Sequence, residues 1–206
     1  MAPSPSTDAR LGPVEVEHLL DLAEASIVDG LRGRRPVPPS SSALPVRLRE
    51  PVGAFVTLTV GGALNGCIGT VDGVEPLGVA VARLAWSAAF ADPRLPALRA
   101  GDYRHLTIEV SILSALVRIP AASRAELLGQ LRPGTDGLVI EAGRRKGLFL
   151  PSVWEQLPDP DEFLDRLSCK AGLPPRSWPD DLEASRFTAE KHSRRVGGTP
   201  TGSVRA

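Results

Sequence analysis

The chain has 206 residues, 42% of them hydrophobic, which is enough to bury the core of one large domain or two small ones. Its 24 basic and 24 acidic side chains balance, which argues against a nucleic-acid binder that works through a broad basic face. No apolar run approaches the ~20 residues of a membrane-spanning helix, and residues 1–10 lack the pattern of a signal peptide. We therefore expect a soluble, cytoplasmic protein that binds neither nucleic acid nor membranes.

The cysteines and histidines indicate no metal site. Cys67 and Cys169 are the only two cysteines, too few and too far apart for a zinc ribbon. The three histidines show no ligand spacing. In a reducing compartment we expect two free thiols rather than a disulfide. The sequence leaves unspecified which cofactor, if any, the protein uses.

The first forty-five residues are predicted to contain one helix between two irregular stretches. Residues 1–12 show no periodicity and are predicted to be disordered. Residues 14–31 form an amphipathic helix, because leucine, alanine and isoleucine recur there at helical spacing. Residues 32–45 contain four prolines and three serines, which predicts a loop or linker. The arginines of this linker fit either a solvated loop or a partner-binding patch.

A β-hairpin is predicted next, with strands at residues 54–60 and 63–68 joined by a Gly-Gly turn. The second strand carries Cys67, with Gly66 before it and Gly69 two residues after it. Glycine weakens a strand, so these glycines indicate a bulge or the close approach of a ligand or another backbone. We expect Gly66 to admit a ligand or partner, since one glycine would suffice for a bulge.

Whether Cys67 is buried depends on the register of this hairpin. A plain two-residue turn places Cys67 opposite Val56 on the apolar face, where a thiol acts as a small, unreactive hydrophobe. A bulge at Gly66 would shift the register by one residue and turn Cys67 to the opposite face. A structural cysteine and a functional thiol therefore stand as alternatives.

Residues 77–90 are predicted to form an alanine-rich helix that ends before Asp92, because the residue preceding a proline is disfavoured in a helix. Asp92 and Arg94 fit two arrangements. One is an ordinary turn with a local ion pair, and the other is a polar corner beside the cysteine strand.

A strand at residues 105–113 alternates cleanly between apolar and polar side chains. Glu109 and Ser111 share its polar face. Such a row is either the wet side of an antiparallel sheet or the lining of a cleft.

The remaining elements are a short helix, a second hairpin, a longer helix and a final element, predicted at residues 123–131, 137–150, 161–171 and 182–191. Residues 192–206 are polar and contain glycine, so a disordered tail is predicted there. A single domain over residues 13–191 remains.

Several stretches together carry a family resemblance. They include Leu-Asn-Gly-Cys-Ile-Gly-Thr at residues 64–70, Ala-Ala-Phe-Ala-Asp-Pro-Arg at 88–94, Glu-Val-Ser-Ile-Leu at 109–113 and Phe-Leu-Pro-Ser-Val-Trp-Glu at 149–155. They resemble protein A of the AmmeMemoRadiSam system, the bacterial and archaeal branch of a family that also has eukaryotic members. The matching stretches run from about residue 14 to residue 190.

The resemblance implies an α+β fold, with a mostly antiparallel sheet flanked by helices and with a larger and a smaller subdomain. It implies a functional site at the glycine-cysteine signature, an undetermined biochemical activity, and association with a Memo-like protein and a radical SAM protein. The family usually has arginine where this chain has Asn65, and phenylalanine where it has Leu95. Asn65 cannot supply the charge or the forked donors of an arginine.

Two hypotheses for the function follow. In the first, a cleft centred on Cys67 binds or acts on a small molecule or protein partner, with Cys67 as nucleophile or redox thiol and Glu109 as base or orienter. The residues expected to shape its binding site are Asn65, Gly66, Gly69, Asp92, Arg94 and Ser111. In the second, the protein is a non-catalytic accessory module for the Memo-like and radical SAM partners.

Overall fold

The computed structural model describes residues 10–196 and 201–204. The chain divides into a larger unit, which runs up to Leu113 and resumes at Glu190, and a smaller unit, Ser114–Ala189. Both units combine an antiparallel sheet with helices, so the predicted α+β fold is confirmed.

The α-helices are α1 Pro13–Leu31, α2 Leu77–Phe90, α3 Arg124–Gln130 and α4 Pro160–Lys170. The strands are β1 Ala54–Val60, β2 Ala63–Thr70, β3 Leu106–Leu113, β4 Val117–Ile119, β5 Gly137–Ala142, β6 Arg145–Phe149, β7 Glu183–Phe187, β8 Ala189–Arg195 and β9 Thr201–Val204. Short 3-10 helices lie at Ser41–Ala43, Val46–Arg49, Ala100–His105 and Pro151–Glu155.

The larger unit contains a five-stranded sheet in the order β2-β1-β3-β8-β9. Val56 and Leu58 of β1 and Ile108 of β3 are fully buried in one core with the apolar faces of α1 and α2. The helices therefore cover one face of the sheet. Phe55, Thr57 and the other alternate residues of β1 belong to the opposite face.

The smaller unit contains a four-stranded sheet in the order β4-β7-β5-β6, and its core is built mainly between β5 and α4. Trp154 stacks on Phe163, with ring centroids 3.7 Å apart, and its indole Nε1 donates a hydrogen bond to the Asp136 carbonyl at 2.7 Å. The Asp136 carboxylate is fully buried and accepts hydrogen bonds from the Arg132 guanidinium. This ion pair orients the start of β5.

Strand β8 corrects the predicted boundary of the disordered tail. Residues 192–195 lie in β8, and β9 pairs with it, whereas disorder was expected from residue 192. Arg194 is 8% exposed, and its guanidinium contacts the carboxylates of Glu17, Asp21 and Glu24 on α1. This polar segment is ordered because the Arg194 guanidinium is buried against carboxylates of α1. Composition alone does not reveal such long-range ion pairs. Disorder was also predicted for residues 1–9, 197–200 and 205–206, and these residues lie outside the part of the chain that the structure describes.

No helix in the part of the chain that the structure describes is long and apolar enough to cross a membrane.

Replacing Arg194 by alanine should lower the melting temperature, because three carboxylates on α1 lose their common partner and β8 loses its attachment to that helix. We expect a loss of about 2 kcal/mol, less than for a fully buried ion pair because the side chains of Glu17 and Asp21 are 46% and 68% exposed. At this chain length that corresponds to roughly 4–8 °C in a thermal melt. The matched control is Arg195→Ala, at the exposed neighbouring residue. Equal melting temperatures for the two variants would contradict the role assigned to Arg194.

Candidate functional site

The hairpin that carries Cys67 contains a β-bulge. Gly61 and Gly62 both have positive φ, as a tight two-residue hairpin turn requires. Beyond the turn, Thr59 pairs with Leu64, but Leu58 pairs with Gly66, so Asn65 is the extra residue. The register therefore differs from that of a plain hairpin, in which Cys67 would lie opposite Val56. Cys67 lies opposite Thr57 instead, on the sheet face away from the helices.

The bulge has a physical reason in the narrow space opposite Leu58. Without the extra residue, Asn65 would lie opposite Leu58, in the core beneath the helices. The backbone of α2 leaves no room for a Cβ at that position, so a glycine has to occupy it. In the bulge, Asn65 Nδ2 donates to the Pro96 carbonyl at 3.4 Å, a long hydrogen bond, while Asn65 Oδ1 is buried and has no hydrogen-bond partner in the described part of the chain.

The thiol of Cys67 lies in a row of three side chains across three strands. Thr57 on β1 pairs with Cys67 on one side and with Glu109 of β3 on the other. The Thr57 hydroxyl donates a hydrogen bond to Cys67 Sγ, with 3.3 Å between the two atoms. All three residues are half-buried. Thr57 therefore separates the thiol from Glu109, the residue expected to act as its base.

Asp92 and Arg94 bind the backbone of Cys67 at the outer edge of the sheet. Asp92 Oδ2 accepts from the Cys67 N–H at 3.0 Å, and Arg94 Nη2 donates to the Cys67 carbonyl at 2.6 Å. The guanidinium also donates to Asp92 Oδ1 from Nε and to Oδ2 from Nη2. The two side chains satisfy the donor and acceptor that an edge strand otherwise leaves unpaired. The turn with a local ion pair and the polar corner beside the cysteine strand are thus the same structure.

Electrostatics at this corner favour the charged forms of both groups. The Asp92 side chain is only 2% exposed, whereas that of Arg94 is 62% exposed. Hydrogen bonds from the Arg94 side chain, with smaller help from two backbone N–H groups, hold the pKa of Asp92 well below its usual range despite its burial. The Asp92 carboxylate raises the pKa of Arg94 in turn. The corner therefore stays fully ionised over the physiological pH range.

Gly66 lies on the core face, directly under the C-terminal part of α2. A Cβ there would lie 1.9 Å from the Ala88 carbonyl oxygen, far inside contact distance. The backbone that approaches Gly66 is therefore that of α2. This corrects the expectation that a ligand or partner approaches at this residue.

Gly69 is covered by a side chain of the neighbouring strand. It pairs with Phe55, and a Cβ on Gly69 would lie 2.2 Å from the Phe55 ring. On the other side of Phe55, Ser111 occupies the corresponding position on β3 and is 1% exposed. Gly69 and Ser111, both expected to shape a binding site, are thus packed within the sheet.

All eight residues predicted for the site lie on β2, on β3 or at the corner beside β2, but only some reach the thiol or its backbone. Asp92 and Arg94 contact Cys67 directly, and Glu109 lies one strand beyond Thr57. The sequence analysis did not predict Thr57 as a site residue. The alternation along β1 places Thr57 on the face away from the core, but it indicates a neighbour of Cys67 only once the extra residue of β2 is known.

Among the described residues, no group of three or more histidine, cysteine, aspartate or glutamate side chains could hold a metal ion. Cys67 and Cys169 are both free thiols, and Cys169 is exposed on α4 in the smaller unit. The arrangement at Cys67 is therefore a half-buried thiol with one hydroxyl donor, beside the ion pair of Asp92 and Arg94.

Comparison with known proteins shows one family across most of the chain. A family model described as AMMECR1 matches residues 20–192. Protein TK0174 of Thermococcus kodakarensis is 38% identical over 202 residues, which covers 92% of this chain and 93% of that protein. A protein of Methanothermobacter thermautotrophicus is 36% identical over 184 residues, 88% of this chain and 95% of its own.

The fold is also similar to a solved structure. The crystal structure of the uncharacterized protein PH0010 from Pyrococcus horikoshii superimposes with a TM-score of 0.85 at 33% identity. The match covers 95% of this chain and 99% of that one.

Replacing Gly66 by alanine should destabilise the fold, because the new methyl group would displace backbone of α2 rather than a flexible side chain. We expect a loss of about 2 kcal/mol or more, roughly 4–8 °C in a thermal melt. Gly101→Ala is the matched control, since a Cβ at Gly101 meets nothing within 4 Å. A Gly66→Ala variant that melts like the parent protein would contradict the close contact with α2.

Replacing Asp92 by asparagine should lower the melting temperature at pH 7 and have a smaller effect in acid. The pKa of Asp92 is lower in the folded than in the unfolded protein, so its charge stabilises the fold above the ordinary carboxyl pKa of about 3.9. This contribution decreases as the pH falls below that value. Melting temperatures of the parent protein and the variant should therefore converge steadily below about pH 4.

The control for this pH series is Asp180→Asn, at an exposed aspartate of the smaller unit. It should leave the melting temperature unchanged at both ends of the series. If the difference in melting temperature between the parent protein and Asp92→Asn stays constant or widens in acid, the lost interaction does not depend on the carboxylate charge.

Proposed function

The chain belongs to the AMMECR1 family, and we propose that its function centres on a surface at Cys67 that binds, or reacts with, an electrophilic small molecule or protein partner. The observation that carries this proposal is the hydrogen bond from the Thr57 hydroxyl to Cys67 Sγ, on the sheet face that the helices leave uncovered. A purely structural cysteine would instead occupy the apolar face, where the plain register would have placed it.

The surroundings of the thiol support a nucleophilic role. A hydroxyl that donates to sulfur stabilises the thiolate, the form of cysteine that attacks electrophiles. The guanidinium of Arg94 also lies against the Cys67 carbonyl, but Asp92 neutralises its charge, so the Thr57 hydroxyl is the group that favours the thiolate. In the step we propose, the thiol proton passes to water and the thiolate attacks an electrophilic carbon. A carbon–sulfur bond forms while the leaving group departs with its electron pair.

Glu109 has a different role in this proposal from the one expected at first. It lies across Thr57 from the sulfur, so it faces a ligand bound over the row rather than the thiol itself. Its carboxylate would orient such a ligand by accepting hydrogen bonds. A cationic or hydrogen-bond-donating group on the substrate therefore fits the end of the row at Glu109.

A second candidate function is the non-catalytic accessory module for Memo-like and radical SAM partner proteins. The packing of the Phe55 ring over Gly69, on the same sheet face as Cys67, supports it, because a filled glycine position favours a flat surface that suits a protein partner. In this case Cys67 would be a contact residue with no special reactivity.

Replacing Thr57 by valine should slow the alkylation of Cys67 by iodoacetamide at pH 7, because valine keeps the shape of threonine and removes the hydroxyl. One hydrogen bond of about 1 kcal/mol corresponds to a roughly five-fold slower reaction. The measurement is mass spectrometry of the labelled protein over time, with the exposed Cys169 as internal reference.

Thr57→Ser is the matched control, since it keeps the hydroxyl and should keep the rate. Cys67→Ser and Cys169→Ser identify which thiol has reacted. If Cys67 in the parent protein reacts no faster than Cys67 in Thr57→Val, the nucleophile hypothesis is wrong. Capture of the Memo-like or radical SAM protein by the parent chain and by Cys67→Ser alike would then favour the accessory module.

A further inference from the structure

A pocket of ≈ 250 Å³ lies in the larger unit, in the helical layer that packs on the sheet face opposite Cys67. One wall is α2, from Ala82 to Ser87, and the other is the proline-rich linker that follows α1. Trp86 presents its ring to the pocket, and Pro36 and Pro38 face it from the linker. The walls are therefore largely apolar.

The linker is attached to Trp86 at two points. The indole Nε1 of Trp86 donates a long hydrogen bond, 3.4 Å, to the carbonyl of Arg34. The guanidinium of Arg35 lies 5.6 Å from the centre of the Trp86 ring, within the range of a cation–π interaction. These contacts hold the Arg35 guanidinium at the rim of the pocket.

The charges that line the pocket have one sign. Arg35 and Arg83 both line it, and no acidic residue does. Arg83 is neutralised by Glu75, to which its Nε donates at 2.8 Å. Arg35 has no carboxylate partner within the described residues and is exposed. The lining therefore carries one uncompensated positive charge beside an aromatic ring and two prolines.

We propose that this pocket is a binding site for a small organic anion, a carboxylate on an aromatic or compact apolar body. The apolar body would contact Trp86 and the prolines, and the carboxylate would accept hydrogen bonds from Arg35 in the forked geometry that guanidinium groups provide. The site is separate from the surface at Cys67, because the sheet lies between them. It gives Arg35 a binding role, although for a small anion rather than for the partner that the sequence left open.

The test uses benzoate and its neutral isostere benzamide as probes of the 206-residue chain labelled with ¹⁵N. The three tryptophan indole N–H resonances report the location of binding, and Trp86→Phe assigns the resonance of Trp86. Benzoate should shift the Trp86 resonance in a saturable titration and leave those of Trp154 and Trp178 unchanged. Benzamide should bind at least five-fold more weakly, because it lacks the charge.

Two variants distinguish the role of the Arg35 guanidinium from general effects of changing the linker. Arg35→Ala should weaken benzoate binding roughly five-fold or more and leave benzamide binding unchanged. Arg34→Ala is the matched control, because the Arg34 side chain pairs with Asp29 outside the pocket while its carbonyl remains. Equal binding of the two probes, an unaffected Arg35→Ala variant, or shifts only at Trp154 or Trp178 would each overturn the proposal.

Discussion

The extra residue at Asn65 is the constraint on which the candidate site depends. It carries the side chain of Asn65 out of the ladder and so turns every later residue of β2 to the other face of the sheet. Gly66 then faces the core, where only a glycine leaves room for the backbone of α2. Cys67 faces away from the helices, beside Thr57. A single inserted residue thereby accounts for both the close packing of α2 and the position of the thiol.

A buried aspartate held by a nearby arginine occurs in both units. In the larger unit the pair is Asp92 with Arg94, and in the smaller unit it is Asp136 with Arg132. Each aspartate is nearly or fully buried, while its arginine remains largely exposed to water. Such a carboxylate can accept hydrogen bonds from backbone N–H groups as well as from its arginine, so it determines the course of the chain. At the Asp92 corner this device fixes the backbone of Cys67 itself.

The two faces of the larger sheet have different surroundings. On one face, α1 and α2 form the core, and the carboxylates of α1 bind Arg194 so that the last part of the chain adds β8 to the sheet. The other face carries the row of Cys67, Thr57 and Glu109. Reactivity is proposed for this second face, and anion binding for the outer side of the helical layer. The sheet keeps the two proposed sites apart.

Local patterns in the sequence were sufficient for the helices, the Gly-Gly hairpin and the family, because periodicity and turn chemistry act over a few neighbouring residues. They also brought the residues around Cys67 to attention as a group. The face of Cys67 was not determined in this way, since it depends on whether the position opposite Leu58 has room for a side chain beneath α2. The sequence patterns also did not reveal three other features. These are the contact of Gly66 with α2, the position of the Thr57 hydroxyl beside the sulfur, and the formation of strand β8. Each of these depends on partners that are distant in the chain, and only tertiary packing brings them together.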